Sequence, residues 1–81
     1  KSDGLFMLEG NARLVDINEK LKINLVSEDN ETINGWFCEQ LGTLPEVGNK
    51  ISFSGWIFTV TEVSKKMATK ISVKAEEEST L

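Results

Sequence analysis

The sequence has no histidine, one cysteine, one proline and no apolar run longer than the four residues Leu5-Phe6-Met7-Leu8. Without histidine, the commonest acid–base group and the commonest transition-metal ligand are both missing. Nucleophiles activated by an imidazole are therefore excluded. The single thiol, Cys38, cannot close an internal disulfide, and a lone cysteine fits a reducing compartment. An apolar run of four residues is far short of the roughly 20 needed to cross a bilayer. No basic start leads into an apolar stretch, so no secretory signal is expected. A net charge of −4 argues against the nucleic-acid backbone as main partner. The chain begins at Lys1 rather than methionine, which leads us to expect a segment of a longer protein, with a processed chain as the alternative.

What is present describes one small folded unit. Eighty-one residues make a single domain, and 40% hydrophobic with 27% charged residues is ordinary globular composition. The run Leu5–Leu8 reads as a short buried strand. Asn11 reads as a helix N-cap, with Leu14, Ile17 and Leu21 forming the inward stripe of a helix of about ten residues. Thr32 is the second N-cap. Ile33, Trp36, Phe37 and Leu41 mark the face of a second helix, with Gln40 its polar exception. Gly42 closes that helix and Pro45 prevents its continuation. Pro45 to Asn49 is turn chemistry.

Period-2 alternation follows. Ile51 and Phe53, then Trp56, Phe58 and Val60, then Met67, Thr69, Ile71 and Val73 point one way, which predicts an antiparallel meander. The expected class is α+β in the order β-α-α-β-β-β, with both helices on one face of the sheet. The expected core is Phe6, Leu8, Ile17, Leu21, Phe37, Leu41, Phe53, Phe58, Val60 and Ile71. Residues 1–75 form the domain, and 76–81 form an acidic tail without core pattern.

Candidate chemistry is sparse. Asp16 with Glu19, and Glu28, Asp29 and Glu31, read as solvated surface carboxylates. The second group lacks the regular ligands and central glycine of an EF-hand. Cys38 lies at the edge of the core with no cation within a helical turn to activate it. The six glycines are dispersed and build no phosphate loop. No catalytic, metal or cofactor site is expected. Trp36 and Trp56 are core residues by default and interface anchors as the alternative. Residues 28–49 hold five acids and no base, while 64–75 hold Lys65, Lys66, Lys70 and Lys74 and no acid. Lys70 and Lys74 share a strand face. Edge-strand protection is the plain reading, and a docking patch for an acidic partner the alternative.

Several stretches in order resemble one family. Asp3 to Gly10, then Leu14-Val15-Asp16-Ile17-Asn18-Glu19, is similar to the opening of the CorC/HlyC transporter-associated domain. Thr32-Ile33-Asn34-Gly35 and Leu41-Gly42-Thr43-Leu44-Pro45-Glu46-Val47-Gly48 resemble its Thr-x-x-Gly and Leu-Gly-x-Ile-Pro-x-x-Gly motifs. Phe58-Thr59-Val60-Thr61-Glu62-Val63 resembles its Phe-x-Val-x-x-Val strand. The likeness runs from Asp3 to Lys74. Trp36, Cys38 and Gln40 depart from the usual aliphatic residues, and Ser64-Lys65-Lys66 stands in place of an Asp-Gly turn. The resemblance implies a fold similar to a PCMH-type subdomain of FAD-binding enzymes, without implying a bound flavin. It also implies a non-catalytic regulatory domain on the cytoplasmic side of an integral membrane protein, a haemolysin-like or Mg²⁺/Co²⁺ efflux protein. Its partners would be a CBS pair, the transmembrane domain, or a second copy of itself. A sensor of a nucleotide, flavin or divalent cation is the alternative.

Overall fold

A computed structural model describes residues 5–76. The elements run β1 (Leu5–Glu9), α1 (Leu14–Leu21), α2 (Ile33–Leu41), β2 (Lys50–Phe53), β3 (Trp56–Ser64) and β4 (Met67–Ala75). The strands form one antiparallel sheet in the order β1-β4-β3-β2. This is the expected α+β order. The meander β2-β3-β4 comes from local turns, and β1 then adds beside β4.

Helix α2 begins and ends where the sequence says it should. The Thr32 hydroxyl accepts the Gly35 N–H at 3.3 Å, which satisfies a donor that the first turn cannot pair. Gly42 takes a left-handed φ of 75° and donates its N–H to the Cys38 carbonyl. Helix α1 differs from expectation. Arg13, not Asn11, is its N-cap, and no side chain caps it. Asn11 is spent in the turn after Gly10. The entry to α1 is instead tied by backbone: Leu14 donates to the Glu31 carbonyl at 2.8 Å, and Arg13 bridges Thr32.

Both helices pack on the face of the sheet that carries Phe58, Val60, Ile71 and Val73, all fully buried. The indole of Trp36 joins the two layers, with ring centroids 5.6 Å from Phe53 and 5.6 Å from Phe58. Phe6, Leu8, Leu41 and Phe53, expected in the core, lie half-buried at its rim. Leu14, Leu25, Ile33, Trp36, Ala68 and Val73 complete the interior.

Two readings of the strands need correction. The alternation of β4 breaks: Ala68 is buried, while Met67 is exposed and Thr69 half-exposed. The register slips on β3 after Val60 and slips back before Val63, so paired bulges reverse the inward parity at the hairpin end. β1 is also no buried strand. It forms one edge of the sheet, with Leu5 and Met7 exposed on the face away from the helices.

The bulge explains the Thr-x-x-Gly motif. Asn34 Oδ1 accepts the Ala68 N–H at 2.7 Å, and the Asn34 N–H donates to the Gly10 carbonyl at 2.9 Å. A β-carbon on Gly35 would lie 2.5 Å from the Asn30 side chain. These residues fasten α2 to β1 and β4. Their role is structural.

Candidate docking surface

With the helices on one side, the other face of the sheet is formed by outward side chains. Strand register sets them in rows. Leu5, Lys74, Ile57 and Ser52 lie side by side across the four strands. The next row is Met7, Ser72, Thr59 and Lys50. The last is Glu9, Lys70 and Glu62. This face is a band of three lysines among exposed aliphatic side chains, with Glu9 and Glu62 at one end and Glu76 at the other, where its carboxylate accepts from the Ser52 hydroxyl at 2.8 Å.

The structure disperses the predicted patch. Lys70 is not on an edge strand, because β4 is interior, so edge protection does not explain it. Glu9 and Glu62 flank it in register, and its amine is 3.6 Å from the Glu9 carboxylate. Lys74 lies four residues further along β4, exposed, between Leu5 and Ile57 rather than between acids. Lys65 and Lys66 sit apart at the tip of the β3–β4 hairpin, at φ 56° and 69°. Positive φ at both positions is the geometry of a two-residue type I′ loop, with lysines in place of Asn-Gly or Asp-Gly. Trp36 is 2% exposed and is a core residue, not a docking anchor. Trp56 is half-buried, its ring 5.7 Å from Phe6, and reaches the surface near the β1 edge. Lys50 carries no signal of its own in the sequence, since its place beside Met7, Ser72 and Thr59 depends on tertiary register.

The helical side of the molecule is acidic, with Asp16, Glu19, Glu28, Asp29, Glu31 and Glu39 all exposed. Among the described residues, no three His, Cys, Asp or Glu side chains gather where they could hold a metal ion. Burial pushes the Cys38 thiol up from its ordinary value, so its nucleophilic thiolate is disfavoured at neutral pH. A cleft of about 390 Å³ opens between the start of α1 and the connector to α2, lined by Arg13, Val15, Asn18, Val26, Asn30 and Glu31 among others. Its amides serve the protein itself. Asn18 accepts from the Leu25 N–H and donates to the Leu25 carbonyl, and Asn30 donates to Ser27 and Glu39. No described helix is long and apolar enough to cross a membrane.

Comparison with known proteins agrees with this architecture. The family model described as the transporter-associated domain, CorC_HlyC, matches residues 1–77. A UPF0053 protein of Haemophilus influenzae is 34% identical over 67 residues, which cover 83% of this chain and 16% of that protein. The chain spans between 16% and 27% of the length of the curated relatives it matches. Among solved structures, the associated region of a proposed Mg²⁺ and Co²⁺ transporter (CorC) from Neisseria meningitidis aligns with TM-score 0.84 and 26% identity, covering 91% of each chain. The transporter-associated domain of a CBS domain protein from Porphyromonas gingivalis aligns with TM-score 0.78 and 26% identity, covering 95% of this chain and 94% of that one. The chain therefore belongs to the CorC/HlyC transporter-associated domain family.

Proposed function

We propose that this domain is a non-catalytic accessory module of a membrane cation transporter of the Mg²⁺/Co²⁺ or haemolysin-like type. It regulates the parent from the cytoplasmic side by docking on a CBS pair or on a second copy of itself. Family membership over residues 1–77 is the observation that carries the reading. The relatives from Neisseria and Porphyromonas supply its transporter and CBS context. The surface supports it: one face of the sheet is left uncovered by the helices and mixes lysines with exposed aliphatics, which suits reversible protein contact. The absence of histidine and the raised thiol of Cys38 argue against chemistry. Docking regulates when the partner binds one conformation of the transporter better than another.

Calorimetric titration of the domain with the CBS pair of its parent tests this. Binding is expected, and Lys74→Glu is expected to weaken it by about two- to fivefold while flattening its salt dependence, as for a charge at the rim of an interface. Lys74 is chosen because Lys70 is already engaged by Glu9. The cleft beside Arg13 favours a second reading, a small-ligand sensor. The same titration with FAD, ATP and Mg²⁺ separates the two. Heat from a small ligand and none from the CBS pair would replace docking by sensing.

A further inference from the structure

The longest apolar run in the chain, Leu5-Phe6-Met7-Leu8, forms the one strand that reads as if it belonged in the middle of a sheet. An uninterrupted apolar strand is the pattern of a strand covered on both faces. β1 is instead at an edge, with Leu5 63% and Met7 58% exposed on one face and Phe6 and Leu8 only half-buried on the other. Exposed edges are usually blunted by shortness, lysine, proline or a bulge. The opposite edge, β2, has four residues and begins with Lys50. β1 has five residues, no lysine and no proline, and its pairing with β4 is regular throughout.

We infer that β1 is a self-pairing edge, at which two copies of this domain join antiparallel about a two-fold axis at Met7 to make one eight-stranded sheet. The backbone is arranged for this. Gly10, one residue beyond β1, donates its N–H to Thr69 on the β4 side. Alternate residues of an antiparallel strand face the same neighbour, so Phe6 and Leu8 pair with β4 while Leu5 and Met7 turn their N–H and C=O groups, and Glu9 its N–H, to the open edge. The Glu9 carbonyl already accepts the Ala12 N–H at 2.9 Å. A two-fold axis through Met7 sets Met7 against Met7, and Leu5 against Glu9 of the partner. The two Met7 residues then exchange both backbone bonds, and each Glu9 N–H meets the Leu5 carbonyl of the other copy.

The side chains are self-complementary in that register. On the core side, Phe6 of one copy meets Leu8 of the other, completing the burial of both. On the outer face, Glu9 of one copy lies beside Leu5 of the other, one strand from the Lys74 that neighbours it. Each Glu9 then keeps its own Lys70, at 3.6 Å, and the partner's Lys74 stands beyond the intervening Leu5, two strand spacings or about 10 Å away. This places opposite charges across the axis within about one screening length, an attraction that favours a second copy and is repeated by the symmetry. The pairing deepens the docking reading by naming a surface for self-association, and it can fail while docking on the CBS pair stands.

Sedimentation equilibrium of the domain over a wide concentration range tests the inference. Reversible dimerisation is expected, and Met7→Lys, which sets two ammonium groups across the axis, should raise the dimer dissociation constant by about tenfold or more. Position 7 is exposed, so the melting temperature of the monomer should hold. A second arm does not depend on that variant folding. With Cys38→Ser as background, Met7→Cys should oxidise readily to a covalent dimer, because directly opposed residues there stand about 5.5 Å apart between Cα atoms. Leu5→Cys, which faces Glu9, should not. A monomer at every concentration, a dimer indifferent to Met7→Lys, or equal cross-linking of the two cysteine variants would overturn the inference.

Discussion

Replacing Trp36 by alanine is expected to lower the melting temperature of the domain by at least about 12 °C. The indole is 2% exposed and touches three aromatic rings, those of Phe37, Phe53 and Phe58. Removing a buried aromatic ring costs about 3–5 kcal/mol, through lost transfer energy and the cavity left behind. Each kcal/mol moves a domain of this size by about 4–8 °C. Total stability for a chain of this length is about 4–12 kcal/mol, so the variant stands near the limit of folding at all. Trp56→Ala should cost about half as much, because that ring is half-buried at the rim and relaxation there is cheaper. Scanning calorimetry on both variants distinguishes a core tryptophan from a surface one. An equal, small effect for both would contradict the placement of Trp36.

Gly10→Ala is expected to be comparably damaging, by a different route. A β-carbon at position 10 would lie 1.8 Å from the Ala68 carbonyl oxygen. That oxygen is backbone, held in β4, and cannot turn aside as a side chain would. The strands must part, or α2 must shift and break the bond from the Asn34 N–H to the Gly10 carbonyl. Overpacking costs about 1–3 kcal/mol where neighbours can adjust. Here they are backbone on both sides, so at least about 3 kcal/mol is expected. Gly42→Ala provides the contrast. Nothing lies within 4 Å of its added β-carbon, yet φ is 75°, and the left-handed conformation alone costs about 1–2 kcal/mol. Denaturant titration should rank Gly10→Ala well below Gly42→Ala in stability. The reverse order would mean that the contact between β1 and β4 relaxes freely.

What the sequence revealed follows from how locally each feature is determined. Thr32 and Gly42 bound α2 through hydrogen bonds that span three or four residues, and both were legible as caps. Asn11 looked equally good as a cap. The choice between a turn after Gly10 and a helix start is made by the Glu31 carbonyl, 17 residues beyond the Leu14 N–H that it binds. The β3 and β4 alternation was visible, but the paired bulges at Thr61 and Thr69 leave no mark in composition. They show in the tertiary hydrogen bonds, where Asn34 reaches from another element to accept the Ala68 N–H and the Thr61 and Thr69 hydroxyls donate across the strands to the Lys70 and Glu62 carbonyls.

The candidate surface was half legible for the same reason. The excess of lysine near the C-terminal end of the domain is a property of the chain. Which lysine stands among acids and which among aliphatics is a property of strand order. Lys70 falls next to Glu9 because β1 crosses back to pair with β4. The same crossing places the most apolar stretch of the sequence at an edge, where it invites a partner. Trp36 was visible both as part of a helical stripe and as a possible anchor, and the packing of Phe53 and Phe58 against it decides for the stripe.

The central claim, that the domain regulates a cation transporter without belonging to its pathway, is tested most directly by Mg²⁺ flux. The full-length parent would be reconstituted in vesicles and compared with a form lacking residues 5–76. Flux is expected to persist, with its dependence on Mg²⁺ concentration shifted by about fivefold or more, the scale of coupling between a regulatory site and its target. An unchanged curve would remove the regulatory role, and complete loss of flux would make the domain part of the transport machinery itself.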